Sequence, residues 1–420
     1  MDTKKLQQLL SLNEIIVYLN HLDIINISCT CKSINEYLKP IVFSKLIVLE
    51  SYSIQRNSAS YGWFIEKCEQ YIRQNCKRIK YLISGNLFLY CSRWIRTDLL
   101  SNLQVISLEK TKVDVHTFRA IINTPISLHS LRLNDIKLYL TSRISEKTNY
   151  IRLPSSLVEL TIADVNLYLS DLENVDDRIW ERSRSLDICK NILFAPETDL
   201  SNLKFFCYYN NCFNASLIDY ILSLAFNLRS LVLKNVILTE KNFKNIDKYA
   251  KLKRVSFDSR DIYYARGQNV DKLPKWITEL SFNYSYEIDI WPIISLASYG
   301  FTNLKKLSIQ YNPSPDSMIT IITGLTNLKY LKISGKPYNK DIDNLNFQNI
   351  SIKELTLTHF QYSTMNFKVF NQWKGLKKIS INLNTPMTNY YTYFELCEML
   401  NNWKYYTYPN SIQFWNMNKI

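Results

Sequence analysis

Leu304-x-x-Leu307-x-Ile309, Leu328-x-x-Leu331-x-Ile333, Ile352-x-x-Leu355-x-Leu357 and Leu376-x-x-Ile379-x-Ile381 state one apolar phrase four times, each 24 residues after the last. The phrase also stands upstream, at Leu128-x-x-Leu131-x-Leu133, Leu157-x-x-Leu160-x-Ile162 and Leu228-x-x-Leu231-x-Leu233. With its middle residue as a marker, the series runs Leu82, Ile106, Leu131, Leu160, Leu186, Phe206, Leu231, Val255, Leu280, Leu307, Leu331, Leu355 and Ile379. Most intervals are 24 or 25 residues; Leu131 to Leu160 is 29 and Leu186 to Phe206 is 20. A fixed period of this length signals a stack of supersecondary units. The second and third apolar residues lie two apart, so both point to one face of a short strand.

Between phrases the spacing often turns helical. Asn214 before Ser216–Leu222 reads as a helix start, as does Thr239 before a stripe of Phe243, Ile246 and Ala250. Asp316 before Met318–Ile322 reads likewise, with Gly324 as the stop. Leu153-Pro154 and Leu273-Pro274 favour extended approaches to their strands, and the short unit around Ala195-Pro196 leaves no room for a helix. From residue 79 to 384 the chain resembles leucine-rich-repeat proteins. The resemblance implies an α/β solenoid: a curved parallel sheet on the concave face, helices and irregular segments on the convex face, about 12–13 units in all. The asparagine that such repeats carry five residues after the marker stands at Asn191, Asn211, Asn312 and Asn384.

Residues that alternate with the apolar ones face outward and map a binding surface. Most central positions carry Ser or Thr. Phe205, Cys207 and Tyr209, beside Val232, make an apolar exception where a partner could bury an anchor, with Lys234 and Arg254 adjoining. Lys306, Lys332 and Lys378 suit an acidic or phosphorylated partner.

The first residues break the period. Leu9–Leu19 carries apolar residues at helical spacing, Asp23 is placed to cap a second helix over 24–29, and Cys31, Ile34 and Leu38 extend a third stripe that Pro40 ends. So short a hairpin must rest on the solenoid or on a partner. Glu14-Ile15-Ile16, Leu19, Asp23-Ile24, Ile27-Ser28, Cys31-Lys32 and Pro40 resemble an F-box, with Ser11-Leu12 where that module usually has Leu-Pro. The resemblance implies docking to the Skp-type adaptor of an SCF ubiquitin ligase, and through it to a cullin-RING ligase, by way of Leu12, Ile15, Ile16, Leu19, Leu22, Asp23, Ile24, Ile27, Cys31 and Pro40. The expected organisation is an all-α F-box over 1–48, a helical linker or cap over 49–78, repeats over 79–388 and an aromatic-rich cap over 389–420. The other readings are a helical N-terminal cap, and a repeat scaffold with no ligase role.

Chemistry is not legible. No phosphate-binding glycine loop or nucleophile elbow occurs, and His21, His116, His129 and His359 lack metal-site spacing. No catalytic residue, cofactor or metal is expected. The nine cysteines are scattered and unpaired in pattern, as free thiols in a reducing compartment would be. No apolar run is long enough to span a membrane and Met1–Gln8 is too polar for a signal core, so a cytoplasmic or nuclear protein is expected. The net charge of +14 accompanies a composition rich in Lys, Asn, Ile and Tyr, without a concentrated basic cluster, which disfavours nucleic acid.

Overall fold

The computed structural model describes residues 21–29, 32–49, 70, 73–85, 101–141, 151–170, 198–209, 216–234, 236, 245–246, 248, 251–258, 276–283, 302–310, 323–335, 351–358, 367–382, 403–408 and 411–417. They fall in two compact units, Met1–Leu203 and Lys204–Ile420.

The first unit opens with two packed helices, α1 (His21–Ser28) and α2 (Lys32–Val42). Ile24 and Leu38 are buried, at 5% and 1% exposure. Two expectations change here. Helix α1 already includes His21, so Asp23 lies inside it and does not cap it. Helix α2 runs through Pro40 to Val42, and Phe43 N–H bonds to Lys39 O at 3.0 Å. Proline removes only its own N–H, and this close to a helix end the following residues restore the pattern.

The chain then passes directly into β1 (Lys45–Leu49), which pairs in parallel with β2 (Tyr81–Gly85). The sheet thus begins at Lys45, ahead of residue 79 and within the segment expected to be helical. It continues through β3 (Val105–Glu109), β5 (Ser130–Thr141) and β6 (Glu159–Ser170), with β4 (Lys112–Asp114) on the side of β5. Helix α3 (Val115–Asn123) follows β4 and is capped by Asp114, whose carboxylate accepts from Thr117 N–H at 2.9 Å.

In the second unit β7 (Phe205–Tyr209), β8 (Ser230–Lys234), β9 (Arg254–Asp258), β10 (Glu279–Asn283), β11 (Lys306–Gln310), β12 (Tyr330–Ser334), β13 (Glu354–Thr358) and β14 (Lys378–Asn382) pair in sequence order, all parallel. Helix α4 (Ser216–Leu224) lies where Asn214 predicted one, and a 3-10 turn (Phe367–Gln372) precedes β14. An antiparallel hairpin, β15 (Trp403–Tyr408) and β16 (Ser411–Asn416), adds to β14 through β16.

Register explains the period. Markers pair with markers: Leu307 with Leu331, Leu331 with Leu355, Leu355 with Ile379. Every residue of the seven quoted phrases is buried, none more than 3% exposed. At about 1.5–3 kcal/mol for each buried aliphatic side chain, no single repeat could close its core alone, and stacking supplies the cover. The pattern and the parallel register make each unit a leucine-rich-repeat type of β-solenoid.

The back of the first unit is not only helix and irregular chain. Lys110, Asp135 and Asp164 take positive φ of 48°, 52° and 49°, each four residues after its marker. The pairing of β5 with β6 skips Asp135 and Asp164 and resumes from Ile136 with Val165 to Thr141 with Ser170. The chain turns a corner there and lays down a second parallel strand. Short polar Asp tolerates this left-handed conformation better than most residues.

Candidate functional site

The candidate surface is the face of the strands turned away from the core. Alternation puts it there: β7, β8 and β14 alternate half-buried or exposed residues with buried ones along their length. Pairing brings Cys207 beside Val232 and Tyr209 beside Lys234, while Ser230 separates Phe205 from Arg254. Phe205, Cys207, Tyr209 and Val232 are half-buried; Lys234 and Arg254 are exposed. The apolar group is therefore contiguous. Beneath it, the Phe206 and Tyr208 rings stack at 6.1 Å between centroids.

Burial pushes the Cys207 thiol above its ordinary value, and the charge of Lys234 only partly offsets this. A raised thiol pKa disfavours the reactive thiolate form. Further along the same face, Glu279 accepts from Arg254 Nε at 2.6 Å and pairs with Lys306 at 3.1 Å. Burial alone would raise the Glu279 pKa, but the two cations and their hydrogen bonds outweigh it and hold it below the usual value. His116 and His129 are both exposed. Among the described residues, no three of His, Cys, Asp and Glu gather as a metal would require, and no helix is long and apolar enough to cross a membrane.

Of the residues assigned to adaptor docking, Leu12, Ile15, Ile16, Leu19 and Cys31 lie outside the described residues. Leu22 and Asp23 are placed in α1 and Pro40 in α2. Ile24 is buried within the chain and Ile27 is half-buried.

Asn191, Asn211, Asn312 and Asn384 lie outside the described residues. Among the described residues, side chains at the turn before a strand bond to the neighbouring repeat. Asn202 Nδ2 donates to Ser155 O at 3.0 Å, Asn327 Nδ2 to Thr302 O at 2.7 Å, and the Ser156 and Ser351 hydroxyls to Leu128 O and Leu328 O, each at 2.8 Å. The signal was present as Asn or Ser just before the first leucine of the phrase.

One more row emerges from the backbone. The residue just before each strand of the second unit donates its N–H to its counterpart in the preceding repeat, at 2.8–2.9 Å: Arg229 to Lys204, Lys253 to Arg229, Thr278 to Lys253, Lys305 to Thr278, and on through Lys329 and Lys353 to Lys377. The ladder ends where Asn416 N–H reaches Lys377 O at 3.0 Å. Seven of these eight positions are Lys or Arg, all with exposed side chains.

No protein-family model matches the chain, and no curated protein is similar to it. Among solved structures it is similar to the TLR13–ssRNA13 complex, at 15% identity over 74% of this chain and 48% of that one, with a TM-score of 0.37. It is also similar to an internalin, InlF, from Listeria monocytogenes str. 4b F2365, at 14% identity over 73% of this chain and 81% of that one, with a TM-score of 0.34. The chain thus spans about half the length of the TLR13 chain. At such identities and scores the likeness carries no functional argument, and the fold rests on the repeat geometry itself.

Proposed function

We propose that this protein is the substrate-recognition subunit of an SCF-type ubiquitin ligase. Its N-terminal helical segment docks on a Skp-type adaptor, and the outward strand face of its repeats holds a protein substrate. The observation that carries the reading is the joint between two unlike parts: a short helical segment with F-box-like residues runs straight into the first strand of a repeat sheet. In this role the chain supplies no reacting group. It raises the effective concentration of a substrate lysine near the charged conjugating enzyme. The reading places the protein in the cytoplasm or nucleus, with no cofactor.

A second reading, a repeat scaffold whose helices only cap the sheet, is favoured by the burial of Ile24 and Leu38 within the chain. Co-expression of the full chain with a Skp-type adaptor separates the two. Retention of the adaptor through size-exclusion chromatography supports the ligase reading; separate elution at micromolar concentration supports the scaffold.

A further inference from the structure

We infer that the basic row of the second unit (Lys204, Arg229, Lys253, Lys305, Lys329, Lys353 and Lys377) is a docking track for an extended acidic polypeptide segment. The inference rests on the reading of the repeats as a protein-binding surface and not on adaptor docking.

The residues lie far apart in sequence, yet the hydrogen bonds from each to the next hold their backbones in consecutive rungs. Strands in a sheet lie about 4.8 Å apart, so the eight rungs extend over about 34 Å. An extended polypeptide advances about 3.3 Å per residue, and roughly ten residues would match that length. No acidic residue occupies the row; its one uncharged position is Thr278. None of the seven cationic side chains makes a hydrogen bond, ion pair or ring contact with another described residue.

The adjacent row of first strand residues behaves otherwise. There Glu279 sits between Arg254 and Lys306 and pairs with both, so that row carries carboxylates of its own that offset part of its positive charge. The positive charge of the preceding row is left for something outside the described chain.

A general abundance of lysine does not produce this arrangement. The same ladder position in the first unit reads Ser44, Lys80, Gln104, His129 and Val158, with a single lysine. One unit carries the cations in register and the other does not.

A polypeptide fits the row better than a nucleic acid. Binders of single strands combine cations with open aromatic faces on which bases stack. Beside this row, the Tyr330 ring is already occupied by Lys306 Nζ, 5.3 Å from its centroid. One outward row beyond those first strand residues, half-buried hydroxyls stand at Ser256, Ser281, Ser308, Thr356 and Ser380, with exposed Lys332 among them, and these donors and acceptors suit the amides and carboxylates of a peptide.

The test uses the full-length chain and a fluorescein-labelled twelve-residue glutamate peptide, followed by fluorescence anisotropy at low and physiological salt. Saturable binding that weakens with salt is expected. The triple variant Lys305→Gln/Lys329→Gln/Lys353→Gln should weaken it at least about tenfold. Lys248→Gln/Lys374→Gln/Lys404→Gln removes three exposed lysines outside the row and should change it less than about twofold. Equal loss in both triples would overturn the track in favour of diffuse charge, as would absence of peptide binding. Tighter, salt-steep binding of a twelve-nucleotide oligothymidylate would replace it with a nucleic-acid site. Adaptor binding is read on the same samples: peptide binding lost with adaptor retained removes the track alone, and the converse removes the ligase reading alone.

Discussion

Ser84 shows how far single residues obey the repeat. It occupies the third apolar position of the phrase marked by Leu82 and pairs with Leu108. Its side chain is 2% exposed, and its hydroxyl has no hydrogen-bond partner among the described residues. An unsatisfied buried hydroxyl costs about 1–3 kcal/mol, so Ser84→Ala should raise unfolding stability by roughly 1 kcal/mol in a urea titration. Glu279 makes the opposite case. Its folded pKa is depressed, so the stability it contributes is complete above the ordinary carboxylate value. That contribution is lost as pH falls through its own lower value. Glu279→Gln should flatten that acid-side loss, and at neutral pH should cost only about 0.5 kcal/mol, because the pair is partly exposed. The burial of each phrase residue was legible in the sequence because one pattern was stated many times over. The left-handed corners at Lys110 and Asp135 were not legible, because neither carries the glycine that advertises positive φ.

Elements show the same division. The strands of the repeated phrase and α4 were readable from periods of two and of about 3.6 residues, whereas β1 and the β15–β16 hairpin, which fall outside the phrase, were not. The second strands beyond Asp135 and Asp164 were not, because alternation there continues the phrase without a break. The expected cap at Asp23 failed because His21 already belongs to the helix. At the other end, β16 completes the edge of β14: Phe414 is fully buried opposite Ile379, and Asn416 closes the carbonyl ladder. A parallel repeat sheet ends in open backbone and open core, and this hairpin covers both. Phe414→Ala should destabilise the second unit by about 3–5 kcal/mol by cavity formation. Tyr406→Ala, at 58% exposure, should change thermal unfolding within about 0.5 kcal/mol.

On the scale of the molecule, sequence reading found no concentrated basic cluster, and along the chain none exists. The repeat gathers charges that the chain disperses: residues some 24 apart become neighbours across one inter-strand step. The apolar group at Phe205, Cys207, Tyr209 and Val232 was legible because its members lie on adjacent strands with unbroken alternation. Arg254, expected to adjoin it, is set one strand further from Phe205, with Ser230 between them. Ile24 is buried inside the chain, so a substitution there would damage the helices as much as any docking surface.

Adaptor docking is therefore tested most directly with Ile15 and Ile16 in the intact protein. Calorimetric titration of a purified Skp-type adaptor into the full-length chain is expected to give saturable binding with Kd at or below about 1 μM. Ile15→Asp/Ile16→Asp should abolish that binding while leaving the thermal unfolding midpoint unchanged. No saturable heat at tens of micromolar adaptor, or undiminished binding by the double variant, would contradict the assignment of this protein as a ligase receptor docked through its N-terminal helices.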